Sequence, residues 1–252
     1  PHFHSAFYPS EGEPSDISQG LLADQGKRLP FIDRIVFVLE KETIPYWTKF
    51  LQGYYDASGL ASDNFDQAVQ FSGVGSAQLT PEMREKKLHL ETAITASIHY
   101  LGFNMLDPVV GGLTPAKTAL RQAISLAIDE EEFIAIFMNG RGIAAQGPIP
   151  PGIFGFEDGE RGINPVIYDW RAGYPQRKSM AEANKRLSEA GYPGGIDPST
   201  GKPLVLHLDT TLGGADDKPL LSWYRKQFQK LGIELVVRNT DYNQFQQKMA
   251  HG

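Results

Sequence analysis

One stretch constrains the fold more than any other: residues 203 to 238, PLVLHLDTTLGGADDKPLLSWYRKQFQKLGIELVVR. It reads as strand, helix, strand. GKPLVLHLDTT (201–211) is an apolar run entered through a turn. In KPLLSWYRKQFQKLG, Leu220, Tyr224, Phe228 and Leu231 fall on one helical face, and Gly232 supplies the stop. Ile233, Leu235 and Val237 then alternate as in a strand with one buried face. Two strands joined through one helix run parallel, with a right-handed crossover. The expected fold class is therefore α/β, α+β in detail: a mixed β-sheet with helices packed on it.

LRQAISLAIDEEEFIAIFMNGRG (120–142) predicts two helices broken near Asp129. Leu120, Ile124, Ala127 and Ile128 share a face at i, i+4, i+7 and i+8. Thr114 and Pro115 supply the cap and first position of that helix. Asp129 and Glu132 have capping-box spacing, which puts Glu130, Glu131 and Glu132 in the first turn of the second helix, where its dipole favours negative charge. Phe133, Ile136 and Phe137 form its inward face, and Gly140 ends it. On this reading Glu131→Gln costs only a few tenths of a kcal/mol, since a dipole contribution alone is lost.

Further strands are expected at RIVFVLE (34–40), apolar on both alternating sets, and at KLHLETAI and SIHYLGFNM between 87 and 105. Ser179 with Glu182 is a second capping-box pattern. Residues 1–30, rich in Pro, Gly, Ser and Asp, read as an irregular N-terminal segment, and 31–252 as a single lobe.

Composition narrows the function. The chain has 252 residues, a net charge of −6 and no cysteine. An acidic balance does not favour a nucleic-acid backbone as partner. Without cysteine there are no disulfides, thiolate metal sites or cysteine nucleophiles. No apolar run reaches the roughly 18 to 20 residues of a membrane helix. The start carries no basic-then-apolar signal segment. Both ends read like the middle of a polypeptide, which predicts a piece of a longer chain.

No motif carries reaction chemistry. The six histidines include no H-E-x-x-H and no pair at helical metal spacing; His2 and His4 read as a polar terminus, and His99 and His207 as strand side chains. SGVGS (72–76) lacks the G-K-[ST] ending of a phosphate loop. DPSTGKP (197–203) lacks the spaced acids of a calcium loop and reads as a turn.

Several stretches together carry a family resemblance: RLPFIDRIVFVLEKE, FLQGYYD, YLGFNM, LRQAISLAIDEEEFIAIFMNGRGIAAQGPIPPGIFG, SMAEANKRLSEAGYPGG, GKPLVLHLD and KQFQKLGIELVVRNTDYNQFQQKM. In order and spacing they resemble the extracellular solute-binding proteins of family 5, the periplasmic peptide- and oligopeptide-binding components of bacterial ABC importers. The resemblance runs from about residue 28 to the end. It implies one lobe, the second large one, of a type II periplasmic-binding-protein fold that closes around a ligand by a hinge. It implies a periplasmic receptor that delivers a peptide or other small solute to a membrane permease, with no catalysis, no cofactor and no metal. Its partners are the ligand, the permease and the first lobe of the same chain. The family's segment with a Trp and an Asp for the peptide amino group is absent, so the chain is expected to fold yet to hold only part of a binding site.

Four positions carry over as ligand-binding candidates: Tyr242 in TDYNQF, Asn104 in LGFNM, and Thr210 and Thr211 after LVLHLD. Each has a plainer reading, as a helix end or a strand-terminating turn. Arg121 reads as a structural charge on an exposed helix face. Two rival readings remain at this point: a hydrolase-like enzyme lobe on the same scaffold, and a sensor or interaction module.

Overall fold

The computed structural model describes residues 4–40, 43–60, 62–71, 77–92, 95–214 and 217–251. SGVGS (72–76) and His2 lie outside the described residues. The chain divides into two compact units, 1–61 and 62–252.

In the first unit, residues 6–8 lie antiparallel to 26–29. Tyr8 N donates to Lys27 O at 2.8 Å, Gly26 N to Tyr8 O at 3.1 Å and Leu29 N to Ala6 O at 2.8 Å. The loop they close is held by its own side chains. The Tyr8 hydroxyl donates to Leu21 O at 2.8 Å, and its ring stacks on Phe31 at 5.9 Å. Helix α1 (Pro14–Ser18) sits inside it, so the Pro/Gly-rich start is irregular but locally ordered. Helix α2 (Thr43–Leu51) follows, with Trp47 buried. Lys49 of α2 and Tyr55 both bond Glu40 Oε1. The strand expected at 34–40 is not formed. A strand apolar on both faces needs neighbours on its edges and cover on each face, and among the described residues no ladder partner is present.

The second unit opens with α3 (Phe65–Ala68), β1 (Val69–Phe71), β2 (Ala77–Leu79) and α4 (Pro81–Glu85). β1 and β2 pair antiparallel, and Phe65, Ala68, Val69 and Met83 are buried. The strands expected between 87 and 105 are likewise absent among the described residues; Leu101 and Phe103 instead pin this segment against the main core.

The main core joins four components. Helix α5 (Pro115–Ala127) begins as the sequence predicts: Thr114 Oγ1 accepts from Lys117 N, and Pro115 occupies the first turn. It buries Ala119, Leu120, Ala123, Ile124, Leu126 and Ala127. Against it packs α7 (Met180–Glu189), through Ala183 and Leu187. The capping box expected at Ser179 is not made: Ser179 makes no side-chain cap bond, and Glu182 pairs with Arg186 one turn on.

Strand β7 (Val205–Thr210), helix α8 (Lys218–Gln229) and strand β8 (Glu234–Asn239) form the predicted βαβ unit. β7 and β8 are parallel, Val205 opposite Glu234 through Thr210 opposite Asn239. Leu204, Leu206, Ile233 and Leu235 face inward, as the alternation requires. α8 buries Leu221, Trp223, Gln227 and Phe228, a face rotated from the one expected, with Leu220 and Tyr224 only half-buried. At its end only a hydrogen fits on Gly232. It has φ +74°, and a Cβ there would lie 2.3 Å from Gly194 O.

Two hairpins complete the fold. β3 (Tyr168–Arg171) and β4 (Tyr174–Arg177) turn through Ala172 and Gly173, both at positive φ. Such a two-residue turn matches the twist of the strands it joins. β5 (Ile196–Asp197) and β6 (Lys202–Pro203) enclose the DPSTG turn. There Asp197 accepts from Ser199 N and Oγ at 2.8 and 2.7 Å, which holds its carboxyl below the usual range. The turn reading of that motif stands. Parallel and antiparallel pairs therefore both occur, in separate two-stranded sheets among the described residues, with helices packed on them.

The EEE run does more than its dipole placement. Asp129 caps helix α6 (Glu130–Phe137) by accepting from Glu132 N at 2.9 Å, as predicted. Phe133 and Phe137 pack on the core but are only partly buried. Arg177, at the end of β4, then gathers the acids. Its Nε donates to Glu131 Oε2 at 2.8 Å, and its Nη2 to Glu130 Oε2. Its Nη1 donates to Ile128 O at 2.7 Å and to Leu126 O at 3.3 Å, the open carbonyl end of α5. The Tyr168 hydroxyl donates to Glu131 Oε1 at 2.7 Å. Glu132 Oε2 accepts from Trp223 Nε1 at 2.9 Å and from Gln227 Nε2 at 2.7 Å, tying α6 to α8. The small effect expected of Glu131→Gln is therefore corrected: that carboxylate holds a tyrosine and an arginine from a distant hairpin.

Candidate functional site

The carboxyl ends of β7 and β8 are where a parallel pair leaves loops and helix starts to form a binding edge. Three of the four candidate residues are there or beside it. Thr210 ends β7; its Oγ1 accepts from Leu212 N at 3.1 Å, and its carbonyl accepts from Thr240 N at 3.0 Å. Thr211 follows, exposed. Tyr242 is the first residue of helix α9 (Tyr242–His251), with 63% of its surface open. The register that sets Thr210 opposite Asn239 brings the two chain segments together.

Local chemistry fixes this rim. Asp241 Oδ1 accepts from Asn243 N at 3.0 Å and from Gln244 N at 3.1 Å, which starts α9 by satisfying two of its open N–H groups. Gln246 Nε2 donates to the Tyr242 hydroxyl at 2.9 Å, one turn on, and so restrains the ring. Lys248 Nζ meets Asp209 Oδ1 at 2.6 Å and ties α9 back to β7. Asn239 Nδ2 donates to Leu212 O and closes the loop after β7. Sequence reading missed Asn239, Asp209 and Lys248; the parallel register was the signal that could have found the first two.

Asn104 is placed differently. Its Oδ1 accepts from Leu106 N at 2.9 Å and its carbonyl from Asp107 N at 3.2 Å, so the amide closes its own turn. Among the described residues no hydrogen bond joins it to the rim. Arg121 is not a free charge on an exposed face. It is half-buried and donates from Nη1 to Val110 O at 2.6 Å and to Gly112 O at 2.8 Å, fastening the loop before α5.

This end of the strand pair carries the Thr210 and Thr211 hydroxyls, the Asn239 amide and the Tyr242 ring, of which the Thr210, Asn239 and Tyr242 groups already bond to neighbours in the same segments. Among the described residues no group of three or more His, Asp and Glu side chains has metal-binding geometry. The acids that cluster elsewhere are committed to structure, around Arg177. Burial first, and the bond to Glu131 second, push the Tyr168 hydroxyl well above its ordinary range, so it stays a proton donor. Two shallow depressions, one with Leu113, Gln122 and Arg186 and one with Arg161 and Trp170, contain none of the four candidate residues. The rim is an open edge, one wall rather than an enclosed pocket.

Residues 22–252 match the family described as bacterial extracellular solute-binding proteins, family 5, middle. The chain is an α/β solute-binding-family polypeptide, and it belongs to family 5. Among solved structures it is similar to the oligopeptide-binding protein AppA from Bacillus subtilis in complex with a nonapeptide, at 22% identity over 52% of this chain and 25% of that one, with a TM-score of 0.38. It is similar to NikA from Brucella suis in complex with Fe(III)-EDTA, at 22% identity, 53% and 25% coverage and a TM-score of 0.39. It is similar to AgaA of A. tumefaciens R10 in complex with agropinic acid, at 24% identity, 55% and 24% coverage and a TM-score of 0.41. The matched part thus spans about a quarter of each of these proteins. No curated protein sequence matches the chain.

Proposed function

We propose that this chain is the ligand-binding lobe of a periplasmic receptor that delivers a peptide or related small solute to an ABC importer, without catalysis of its own. The observation that supports the reading is the end of the β7–β8 pair, where Thr210 and Thr211 close β7 beside the segment that leads through Thr240 into helix α9, whose first residue Tyr242 is exposed, on a family 5 chain. A receptor must hold its solute reversibly, so a wall of hydroxyls and an aromatic ring suits it better than a nucleophile. Tyr242 supplies apolar area with a polar tip and loses little conformational freedom on binding. Asn104 belongs to the same proposal as a weaker candidate, since its amide is already used by its own turn.

The test starts with native mass spectrometry of the protein, to identify the solute that co-purifies. Titration calorimetry then compares the unaltered chain with Tyr242→Ala. Loss of an aromatic contact of this kind should weaken binding by about tenfold to 150-fold, roughly 1.5 to 3 kcal/mol. Asn104→Ala should change it less. Affinity for the identified solute unchanged in both Tyr242→Ala and a Thr210→Val/Thr211→Val pair would remove the rim from the site.

A further inference from the structure

Asn139–Gly140 is the one Asn–Gly step in the sequence. Such a step carries its own reagents. The backbone nitrogen of the glycine, unhindered by any Cβ, can attack the asparagine side-chain carbonyl and close a succinimide ring. The fold places this pair where the attack is held back. Both residues lie in the left-handed turn that ends α6, at φ +50° and +73°. Gly140 N donates to Ile134 O at 3.0 Å, beside Met138 N on the same carbonyl at 3.1 Å, so the attacking nitrogen is engaged. Arg141 closes the turn from its other end. Its N and its Nε both donate to Met138 O at 2.9 Å, and its guanidinium lies over the Phe65 ring at 4.8 Å. Asn139 Oδ1 is buried and accepts no hydrogen bond among the described residues.

We propose that Asn139 is a site of spontaneous deamidation which the cap of α6 keeps closed, and that the reaction, once it has occurred, prevents the cap from re-forming. When the last turn opens, Gly140 N bonds to Asn139 Cγ and gives up its proton. The Cγ–Nδ2 bond breaks, and the side-chain nitrogen leaves with that proton as ammonia. Water then opens the ring at one of its two carbonyls. Opening at Cγ leaves an aspartate, and opening at the main-chain carbonyl leaves an isoaspartate. Water is the only co-reactant. Neither product suits the turn. The aspartate puts a charge where Asn139 Oδ1 is buried, at the negative end of a helix that has no basic residue in its last turn. The isoaspartate carries the side-chain methylene in the main chain, which moves Gly140 N away from Ile134 O. Either product releases the turn that holds Arg141 over Phe65, so the link between the end of α6 and α3 is lost irreversibly.

The 252-residue chain and a synthetic peptide of residues 135–145 are held side by side in neutral buffer at one temperature. Cleavage of the chain at Arg121 and Arg141 gives a peptide, 122–141, in which Asn139 is the only asparagine. Mass spectrometry follows the amide-to-acid change in both samples, and chromatography separates the aspartate and isoaspartate forms. Opening of the turn limits the folded chain and not the peptide, so the peptide should react at least about tenfold faster. Arg141→Ala removes the Nε bond and the Phe65 contact. It should raise the rate of the folded chain relative to that of a peptide carrying the same change. Urea midpoints then read the consequence. Asn139→Asp should lower the midpoint, and Asn139→Gly, which accepts the left-handed turn without a side chain, should not. Equal rates in chain and peptide, an Arg141→Ala chain that reacts no faster relative to its peptide, or an Asn139→Asp chain as stable as the Asn139→Gly chain would each overturn the proposal.

Discussion

Ile124→Ala is expected to lower the stability of the second unit by about 3 to 5 kcal/mol, the upper part of the range for removing a buried aliphatic side chain. Ile124 is 1% exposed, on the buried face of α5 in the core cluster that also holds residues of α7, α8 and the β7–β8 pair. The cost of such a change has two parts: the lost transfer energy of the removed carbons, and the cavity left when the surroundings cannot close. Here closure is difficult. The buried neighbours belong to α5, α7, α8 and both strands, so no single segment can relax inward without disturbing the others. Many are alanines, with no longer side chain to swing into the gap. Urea denaturation is the measurement: the midpoint should fall sharply while the slope stays unchanged. Glu131→Gln, by contrast, weakens charge-assisted hydrogen bonds that are nearly half open to water, and should cost about 1 to 2 kcal/mol. That is more than a dipole contribution and still well below Ile124→Ala; a reversed order would mean that the polar cluster, not the apolar core, dominates this unit.

What could be read from the sequence follows from the range of the forces involved. The break at Asp129 and the start at Thr114 are set within three or four residues, by a cap and the N–H groups beside it, so both were legible. The βαβ unit was legible because each of its three segments carries its own period and a helix between strands allows only one direction. The grip of Arg177 on Glu130 and Glu131 spans 47 and 46 residues, and that of Glu132 on Trp223 spans 91; no local period announces either. The same contact explains why α8 turns Trp223 and Gln227 inward instead of following the expected stripe. The β3–β4 hairpin was hidden because Ala172, not a residue that favours positive φ, occupies its turn. RIVFVLE was legible as apolar and strand-like, but a strand is completed by its neighbours, which the sequence of the segment does not contain. At the candidate site, the closeness of Thr210 to the start of α9 follows from the parallel register. Asn104 was chosen by motif position alone, and its amide turned out to close its own turn.

Arg177→Ala is the second large effect, expected at about 2 to 4 kcal/mol, with Arg177→Lys recovering only part of it. The guanidinium serves three groups at once. It neutralises Glu130 and Glu131, fills the carbonyl end of α5 through Leu126 and Ile128, and lies over the Tyr168 ring at 5.3 Å. Removing one partner of a fully buried pair costs about 3 to 5 kcal/mol. Arg177 is 16% exposed, but Glu130 and Glu131 are 40% and 48% exposed and water can reach them once unpaired, so the figure is reduced. Lysine keeps the charge without the planar fork, and cannot reach two carboxylates and two carbonyls together. The cluster also gives a pH signature. The folded state raises the Tyr168 hydroxyl above the value of about 10 it has in an unfolded chain, first by burial and then by its bond to Glu131. A group with a raised folded value contributes its full stability below the unfolded value and loses it as pH climbs above. Stability should therefore hold up to about pH 10 and decline beyond it, by at most about 1.4 kcal/mol per pH unit from this one group. Tyr168→Phe, which lacks the proton, should be less stable at pH 8 yet decline more gently above pH 10. Denaturation midpoints of the two chains between pH 8 and 11 test this. Parallel declines would show that the hydroxyl is not the titrating group, and would reduce Arg177 to a cap on α5 and an ion pair.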